Sequence, residues 1–387
     1  MSILLVILDG LGDLPSKEFN GKTPLEKAKT PHMNLLAKNG KTGLHRPLGD
    51  KKPESDTAHL AIFGYDLDKY YLGRGPYEAA GVGLEMIKGD VAFRVNAATV
   101  DENSIIKDRR AGRIKNIKPF VEKFNGKKLK DVKFILKSGT EHRAVLLMRG
   151  ANLYPNVTGN DPHKEGKKVL DIEQTKMDSG KTAHLLSEFL KISHEELEKM
   201  DLNKKRKKQG KLPINYFLVR GAGQFKKTPD MKKMHGLNSA CIAGAGLYKG
   251  VAKVVGMDLL DSNLNGTEDE NIQDGVDTAL NALKNYDFVF LHLKLTDLFG
   301  HDGDFKGKVN AIERVDKCME KLTDLDHTIC ITGDHSTPCL KKDHSTDPVP
   351  ILISGKGKDK TKKFDEKECG NGNIGQIQGK DIMNLIK

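Results

Sequence analysis

Eight short apolar segments recur along this chain of 387 residues, each bounded by Gly, Asp, Pro or another polar residue. They are Ile3–Leu8, Phe134–Leu136, Ala144–Met148, Tyr216–Val219, Ala240–Ala243, Phe288–Leu293, Ile329–Thr332 and Pro350–Ile353. Because these segments do not alternate with polar residues, they are typical of β-strands buried on both faces. Amphipathic helical patterns occupy residues 182–200, 278–284 and 309–322. The sequence therefore predicts an α/β fold with helices flanking a mostly parallel central sheet.

The length favours two domains, since one domain usually spans about 100–200 residues. No apolar segment approaches the roughly 20 residues that cross a bilayer, so no membrane association is expected. The apolar start at Ile3–Leu8 lacks a basic flank and a cleavage site, and we interpret it as a strand rather than a signal peptide. The five cysteines are odd in number and widely spaced, which argues against disulfides and favours a cytoplasmic location.

The net charge of +11 raises the question of an anionic partner. The densest basic runs are Lys204–Lys208 and 356–363, and neither contains aromatic residues that could stack on bases. The chain has no Trp. We therefore interpret both runs as solvated surface, with Lys204–Lys208 in an exposed loop, and expect no nucleic-acid partner.

Acidic residues follow three of the apolar segments: Asp9, Asp297 and Asp334. Because the carboxyl ends of parallel strands meet at one edge of a sheet, we expect these three carboxylates to share a crevice. His335 follows Asp334 directly, and His344 lies nine residues further on. Carboxylate oxygens and imidazole nitrogens suit Mn²⁺, Zn²⁺ or Fe²⁺. The alternative is that Asp334 and His335 only pair with each other at a turn.

The spacing of these residues predicts two metal sites. His301 follows Asp297 by four residues, which puts both side chains on one side of a helical turn. With His344 they would form one cluster, and Asp9, Asp334 and His335 a second. Two neighbouring metals can clamp both sides of an in-line phosphoryl displacement. The pattern thus indicates phosphoryl-transfer chemistry.

Such a site needs a nucleophile, and Ser55 is the candidate. It stands in Pro53–Ala61, where a Pro-bearing loop opens into an apolar segment with a helical pattern. Ser at a helix N-cap usually serves only to accept a backbone hydrogen bond. The same position, however, directs the hydroxyl into the positive end of the helix, which favours an alkoxide and then a phosphate ester.

Six groups of segments together resemble the cofactor-independent phosphoglycerate mutases of the archaeal type, in the alkaline phosphatase superfamily. The segments run from near the N-terminus to Pro350 and cover almost the whole chain. They are Leu8–Asp13, Thr23–Pro31, Ser55–Leu60, Gly73–Pro76, Lys294–Asp297 with Gly300–Gly303, and Gly333–Pro338 with His344 and Asp347–Pro350.

This resemblance implies an alkaline-phosphatase-like metal domain of residues 1–93 and 226–387, with a smaller α/β substrate-binding domain inserted at 94–225. Candidate substrate residues in the insert are Arg109, Arg113, Arg143, His163 and Arg220. Planar guanidinium groups suit the phosphate and carboxylate of a small acid. The alternative is that these arginines are ordinary surface residues.

The resemblance also implies the reaction, which is interconversion of 3-phosphoglycerate and 2-phosphoglycerate through a phosphoserine at Ser55, without bisphosphoglycerate. Two divalent ions are expected, with Mn²⁺ favoured over Zn²⁺, Co²⁺ or Mg²⁺. One ion would be held by Asp9, Ser55, Asp334 and His335, and the other by Asp297, His301 and His344. The alternatives are a metal-dependent phosphomonoesterase, a sugar-phosphate mutase, or a metal-stabilised binding protein without catalysis.

Overall fold

The computed structural model describes residues 1–387, which divide into two compact units. The first unit comprises Met1–Tyr71 and Pro229–Lys387, and the inserted unit comprises Leu72–Thr228. The first junction thus precedes the expected boundary at 93/94. The helix Arg74–Gly81 belongs to the inserted unit because it packs against the strand Val91–Val100. The second junction lies near the expected 225/226.

Strands and helices alternate through most of the chain. The strands are β1 (Ile3–Leu8), β2 (Gly40–Arg46), β3 (Val91–Val100), β4 (Ile106–Asp108), β5 (Lys128–Leu129), β6 (Val132–Ser138), β7 (Arg143–Arg149), β8 (Tyr216–Gln224), β9 (Ser239–Ala243), β10 (Asp258–Leu259), β11 (Phe288–Leu293), β12 (Thr328–Thr332), β13 (Val349–Ser354) and β14 (Gly375–Gln378). The α-helices are α1 (Pro24–Lys27), α2 (Pro31–Lys38), α3 (Ser55–Ile62), α4 (Leu67–Tyr70), α5 (Arg74–Gly81), α6 (Lys118–Glu122), α7 (Gly180–Lys199), α8 (Asp201–Lys208), α9 (Met231–His235), α10 (Gly246–Val254), α11 (Ile272–Ala282), α12 (Leu295–Asp302), α13 (Phe305–Cys318), α14 (Glu366–Cys369) and α15 (Ile382–Ile386). Short 3₁₀ helices occupy Lys17–Phe19, Met177–Ser179, Glu320–Leu322 and Gly379–Asp381.

The first unit is built on an eight-stranded sheet in the order β10-β9-β11-β1-β12-β13-β2-β14. Its ladders are parallel except for the two that β13 makes with β12 and β2. The strand β1 lies between β11 and β12, and every residue of it is buried. Helices α2, α11 and α13 pack their apolar residues on this sheet. The expected mostly parallel α/β fold is confirmed.

The inserted unit contains a six-stranded sheet whose ladders are all antiparallel. Three of the eight apolar segments, in β6, β7 and β8, belong to this sheet rather than to the parallel one. Its core side packs against α7 through Leu185, Leu186 and Phe189. This helix is confirmed, and the expected helices at 278–284 and 309–322 overlap α11 and α13, which end earlier, at Ala282 and Cys318.

The prediction of an exposed loop at Lys204–Lys208 is wrong, because this run forms most of α8. Lysine is a good helix former, and Asp201 lies in the first turn, where a negative charge is favourable. Asn203 anchors the helix, since its buried amide donates to Leu197 O at 2.8 Å and accepts from Ile214 N at 2.8 Å. No helix in the structure is long and apolar enough to span a bilayer.

Candidate metal centre

Two neighbouring strand ends supply the first pair of carboxylates. Asp9 follows β1 directly, and Asp334 lies two residues beyond β12, the parallel neighbour of β1. Both side chains are fully buried. The backbone N–H of Gly10 donates to Asp334 Oδ1 at 3.1 Å. Gly10 has a φ of +63°, and a Cβ there would lie 2.8 Å from Asp297 Oδ1, so only glycine fits this turn.

Ser55 and His335 join this pair of carboxylates. Glu54 is the N-cap of α3, so Ser55 is not the N-cap but the first residue of the helix. Ser55 Oγ lies 3.3 Å from His335 Nε2. The same imidazole nitrogen lies 3.2 Å from Asp334 Oδ2 and 3.5 Å from Asp9 Oδ1. The structure therefore brings Asp9, Ser55, Asp334 and His335 together.

The second predicted cluster also forms, although Asp297 does not stand at a strand end. It lies in the first turn of α12, and its Oδ1 is 3.4 Å from Nε2 of His301, one turn later. His344 completes the group, with its Nε2 3.2 Å from His301 Nε2 and 3.7 Å from Asp297 Oδ1. The rings of His335 and His344 stack with centroids 3.7 Å apart, so the two clusters adjoin.

The donor atoms fit divalent cations. Ligand atoms of Asp9, Asp334 and His335 all lie within 4.8 Å of one another, and so do those of Asp297, His335 and His344. Asp9 Oδ1 and Asp334 Oδ2 are buried without a hydrogen-bond partner. Buried carboxylate oxygens are normally satisfied, and a bound cation would satisfy both of these. Oxygen and imidazole ligands without thiolate match Mn²⁺, Zn²⁺ and related ions.

Lys294, which the sequence patterns did not single out, balances part of the negative charge. Its Nζ lies 2.8 Å from Asp9 Oδ2 and 2.5 Å from Asp297 Oδ2. Burial alone would raise the pKa of both carboxyls, but Lys294 overcomes this effect and lowers the pKa of Asp297 to about 2. For Asp334, burial and the neighbouring Asp9 outweigh Lys294 and raise the pKa well above the usual range.

Several other polar residues around the centre were also missed. Tyr248 donates to Asp9, and the ring of His292 stacks on Tyr248 with centroids 3.5 Å apart. Thr337 Oγ1 donates to Asp297 Oδ1 at 2.8 Å. His59 donates from Nδ1 to the carbonyl of Ser55 at 2.6 Å, which ties the first two turns of α3 together. Of these residues, only His59 could be inferred from the sequence, because it lies one helical turn after Ser55.

Comparisons with known proteins identify the family of this chain. All 387 residues match the family model described as "Metalloenzyme superfamily". Curated relatives named 2,3-bisphosphoglycerate-independent phosphoglycerate mutase include one from Pyrococcus horikoshii, 46% identical and covering 99% of this chain and 95% of its own. Another, from Methanococcus aeolicus, is 42% identical and covers 100% and 97%. This chain belongs to the archaeal 2,3-bisphosphoglycerate-independent phosphoglycerate mutase family.

Solved structures of similar proteins share the fold along the whole chain. A cofactor-independent phosphoglycerate mutase from Thermoplasma acidophilum is 33% identical, with a TM-score of 0.72 and coverage of 100% of this chain and 98% of its own. A protein from Pyrococcus horikoshii is 40% identical, with a TM-score of 0.85 and coverage of 100% and 96%. As a member of the phosphoglycerate mutase family, the chain is a metal-dependent isomerase.

In this phosphoglycerate mutase family member, the inserted unit gathers arginines on one sheet face. Arg220 on β8 is directly opposite Arg94 on β3, and Arg143 on β7 is opposite Asn96. Directly opposite residues on antiparallel strands share a face, as do residues two apart on one strand. Arg94, which the sequence patterns missed, pairs with Glu78 at 3.5 Å, and its buried Nε lacks a partner.

The other predicted substrate residues have different surroundings. The guanidinium of Arg109 is held by Asp161 through two hydrogen bonds of 3.0 and 2.5 Å. Arg220 Nη1 lies 2.8 Å from His163 Nδ1, so these two residues are adjacent. Arg113 adopts a left-handed backbone conformation with a φ of +52°. Asp161 also accepts from His163 N at 2.9 Å and lies 4.0 Å from Arg220 Nε, so Arg109, His163 and Arg220 surround one carboxylate, whereas Arg143 lies opposite Asn96.

Proposed function

We propose that the protein interconverts 3-phosphoglycerate and 2-phosphoglycerate without bisphosphoglycerate, through a phosphoserine formed on Ser55. The observation that carries the proposal is the 3.3 Å contact between Ser55 Oγ and His335 Nε2 beside the buried carboxylates Asp9 and Asp334. Ser55 also begins α3, where backbone N–H groups and the helix dipole favour a phosphate. A cytoplasmic location is part of the proposal.

Two divalent ions belong to this mechanism. Asp9, Ser55, Asp334 and His335 would hold one, and Asp297, His301 and His344 the other. We favour Mn²⁺, with Zn²⁺, Co²⁺ and Mg²⁺ as alternatives that the same donors accept. When bound, the ions supply positive charge that stabilises the phosphoryl oxygens and lowers the pKa of the serine hydroxyl.

The chain's own residues then carry the transfer. Ser55 Oγ gives up its proton and forms a bond to phosphorus, while the bond between phosphorus and the glycerate oxygen breaks and that oxygen takes up a proton to become a hydroxyl. The other glycerate hydroxyl later loses its proton and attacks the phosphorus, the bond from phosphorus to Ser55 Oγ breaks, and Ser55 Oγ takes up a proton, which restores the serine and completes the isomerisation. The N-terminus of α3 would stabilise the negative charge of the phosphoryl oxygens. Lys294, whose Nζ is 2.8 Å from Asp9, would reduce the repulsion between these oxygens and the carboxylates.

Glycerate must stay bound between the two half-reactions. We propose that Arg143, Arg220 and His163 of the inserted unit hold it, because guanidinium groups pair with carboxylates in bidentate fashion. Arg109 and Arg113 are further candidates for binding the substrate. The two hydrogen bonds from Arg109 to Asp161 favour a supporting role for Arg109, in which Asp161 fixes the segment that carries His163.

An enolase-coupled assay on 3-phosphoglycerate, with inorganic phosphate measured in the same reaction, tests the function. Metal-stripped protein should be inactive, and added Mn²⁺ should restore formation of 2-phosphoglycerate with little phosphate release. Release of phosphate as the main product would favour the phosphomonoesterase alternative. Full mutase activity in protein shown by elemental analysis to be metal-free would contradict the proposal.

A further inference from the structure

Lys308, on α13, is a lysine whose side chain is completely buried. Its Nζ forms an ion pair with Asp13 Oδ2 at 2.8 Å. It also donates to the carbonyl oxygens of Gly12 at 3.2 Å and Thr337 at 3.0 Å. An ammonium group has three protons to donate, so Lys308 makes its full set of hydrogen bonds without water.

The three acceptors of Lys308 lie on two different segments, which carry the buried carboxylates of the proposed metal centre. Gly12 and Asp13 follow Asp9, and Thr337 follows His335. The segments also contact each other directly, because Thr337 N donates to Gly12 O at 3.1 Å and Cys339 N donates to the Asp13 carboxylate at 3.1 Å. Lys308 therefore joins segments that belong to different strand ends.

Thr337 extends this network to the proposed ligands. Its Oγ1 donates to Asp297 Oδ1 at 2.8 Å and lies 3.1 Å from His335 Nδ1. A shift of the Thr337 backbone would therefore change the orientation of both a carboxylate and an imidazole. Groups that orient metal ligands in this way usually change metal affinity when they are removed.

Stability alone does not account for this arrangement. Burying a lysine and an aspartate removes both charges from water, and replacing such a pair by apolar residues of similar size is often neutral or stabilising. A buried ion pair that fixes the geometry of neighbouring segments has a role that an apolar pair cannot fill. The hydrogen bonds from Lys308 to two backbone carbonyls provide such a geometric role.

We infer that Lys308 is a positioning residue that holds the segments after β1 and β12 in register, and that it thereby sets the affinity of the centre for divalent cations. The inference rests on the metal site in the proposed function. The hydrogen bonds of Lys308 go to Asp13, Gly12 and Thr337 and not to the proposed ligands, so it acts through these three residues.

The test compares Mn²⁺ binding by metal-stripped full-length variants, with free Mn²⁺ measured by electron paramagnetic resonance. Lys308→Met should weaken Mn²⁺ binding by about 10- to 100-fold, the usual effect of losing a group that orients metal ligands. The control is Asp316→Ala, on the same helix. The buried Asp316 carboxylate accepts from Met33 N at 2.8 Å and pairs with His32, away from both segments.

Asp316→Ala should lower the melting temperature but keep Mn²⁺ affinity within about threefold of wild type. If Lys308→Met does not fold, Lys308→Met with Asp13→Asn removes both buried charges, and this double variant should show the same loss of Mn²⁺ affinity. Wild-type affinity in whichever variant folds would overturn the inference. Wild-type protein that takes up no Mn²⁺ would instead overturn the proposed metal site, and the inference with it.

Discussion

Ser55 Oγ lies 3.3 Å from His335 Nε2, although the two residues are 280 positions apart in the sequence. The first belongs to the start of α3, and the second follows the buried strand β12. This contact places a hydroxyl at a helix N-terminus beside two buried carboxylates, Asp9 and Asp334. The reactive side chain and the proposed metal ligands thus belong to a single compact unit.

Ser55→Ala should lower mutase activity by about 10³-fold or more, because the variant lacks the proposed nucleophile. The fold should persist, since one lost hydrogen bond costs about 1 kcal/mol. Thr57→Ala is a matched control on the same helix, where the Thr57 hydroxyl forms hydrogen bonds with the N-cap residue, Glu54. It should lose about 0.5–2 kcal/mol of stability and keep its activity. Equal activity losses in the two variants would point to helix stability instead of nucleophilic chemistry.

Asp334→Asn should stabilise the metal-free protein while weakening its response to Mn²⁺. The amide can still accept from Gly10 N, and it removes negative charge next to Asp9. We expect the metal-free melting temperature to rise by about 1–2 °C, equivalent to roughly 1 kcal/mol in a chain of 387 residues.

Scanning calorimetry measures the melting temperature of both proteins, and a second run with Mn²⁺ present measures how much each one is stabilised by the ion. Wild-type protein should gain about 2.7 kcal/mol when Mn²⁺ is present at 100 times its dissociation constant. Asp334→Asn should gain markedly less because it lacks one proposed ligand. An equal Mn²⁺-induced increase in both proteins would exclude Asp334 as a ligand.

Arg220→Ala should decrease 2-phosphoglycerate formation and increase release of inorganic phosphate. If Arg220 holds glycerate, its loss removes a charged hydrogen bond of roughly 1.5–3 kcal/mol, so glycerate leaves at least about tenfold faster. The phosphoserine would then be exposed to water. Both products are measured in one reaction.

Arg149→Ala serves as the control for this experiment. Arg149 is also on the sheet of the inserted unit, but its guanidinium pairs with Asp90 at 2.7 Å. Its loss should reduce stability without changing the ratio of the two products. If Arg220→Ala also leaves the ratio unchanged while both products fall, Arg220 does not retain glycerate.

Glu366→Gln should make the protein more stable than wild type at pH 8 and leave it similar at pH 5. Burial raises the pKa of Glu366 from about 4.5 to about 7. The folded protein therefore binds this proton more tightly than the unfolded chain, and wild type loses up to about 3 kcal/mol as pH rises through this interval. Gln carries no charge and avoids that loss. Urea denaturation at both pH values measures the difference, and an equal difference at the two pH values would contradict the expectation.

The strand-end carboxylates and the His301 position could be predicted because they depend on local patterns. Asp9 and Asp334 follow apolar strands, and Asp297 and His301 are one helical turn apart. Parallel strand ends meet at one edge of a sheet whatever the details of packing. Predicting these residues therefore required no knowledge of contacts between distant parts of the chain.

The polar residues behind the ligands could not be found in this way. Lys294 immediately follows a buried strand, and Lys308 interrupts the apolar face of a helix. In sequence, both look like ordinary surface lysines. Each pairs with a carboxylate far away in the sequence, Lys294 with Asp9 at 285 positions and Lys308 with Asp13 at 295, although Lys294 also pairs with the nearby Asp297. In the inserted unit, the shared face of Arg94 and Arg220 likewise depends on antiparallel register, which only tertiary pairing fixes.

The most direct test of the central claim is to mix Mn²⁺-loaded protein with 3-phosphoglycerate, quench in acid within one turnover, and locate phosphate by peptide mass spectrometry. The account predicts phosphate on Ser55 in wild type and no phosphopeptide from Ser55→Ala. Rapid mutase turnover with no phosphate on Ser55, or with phosphate on another residue, would contradict it.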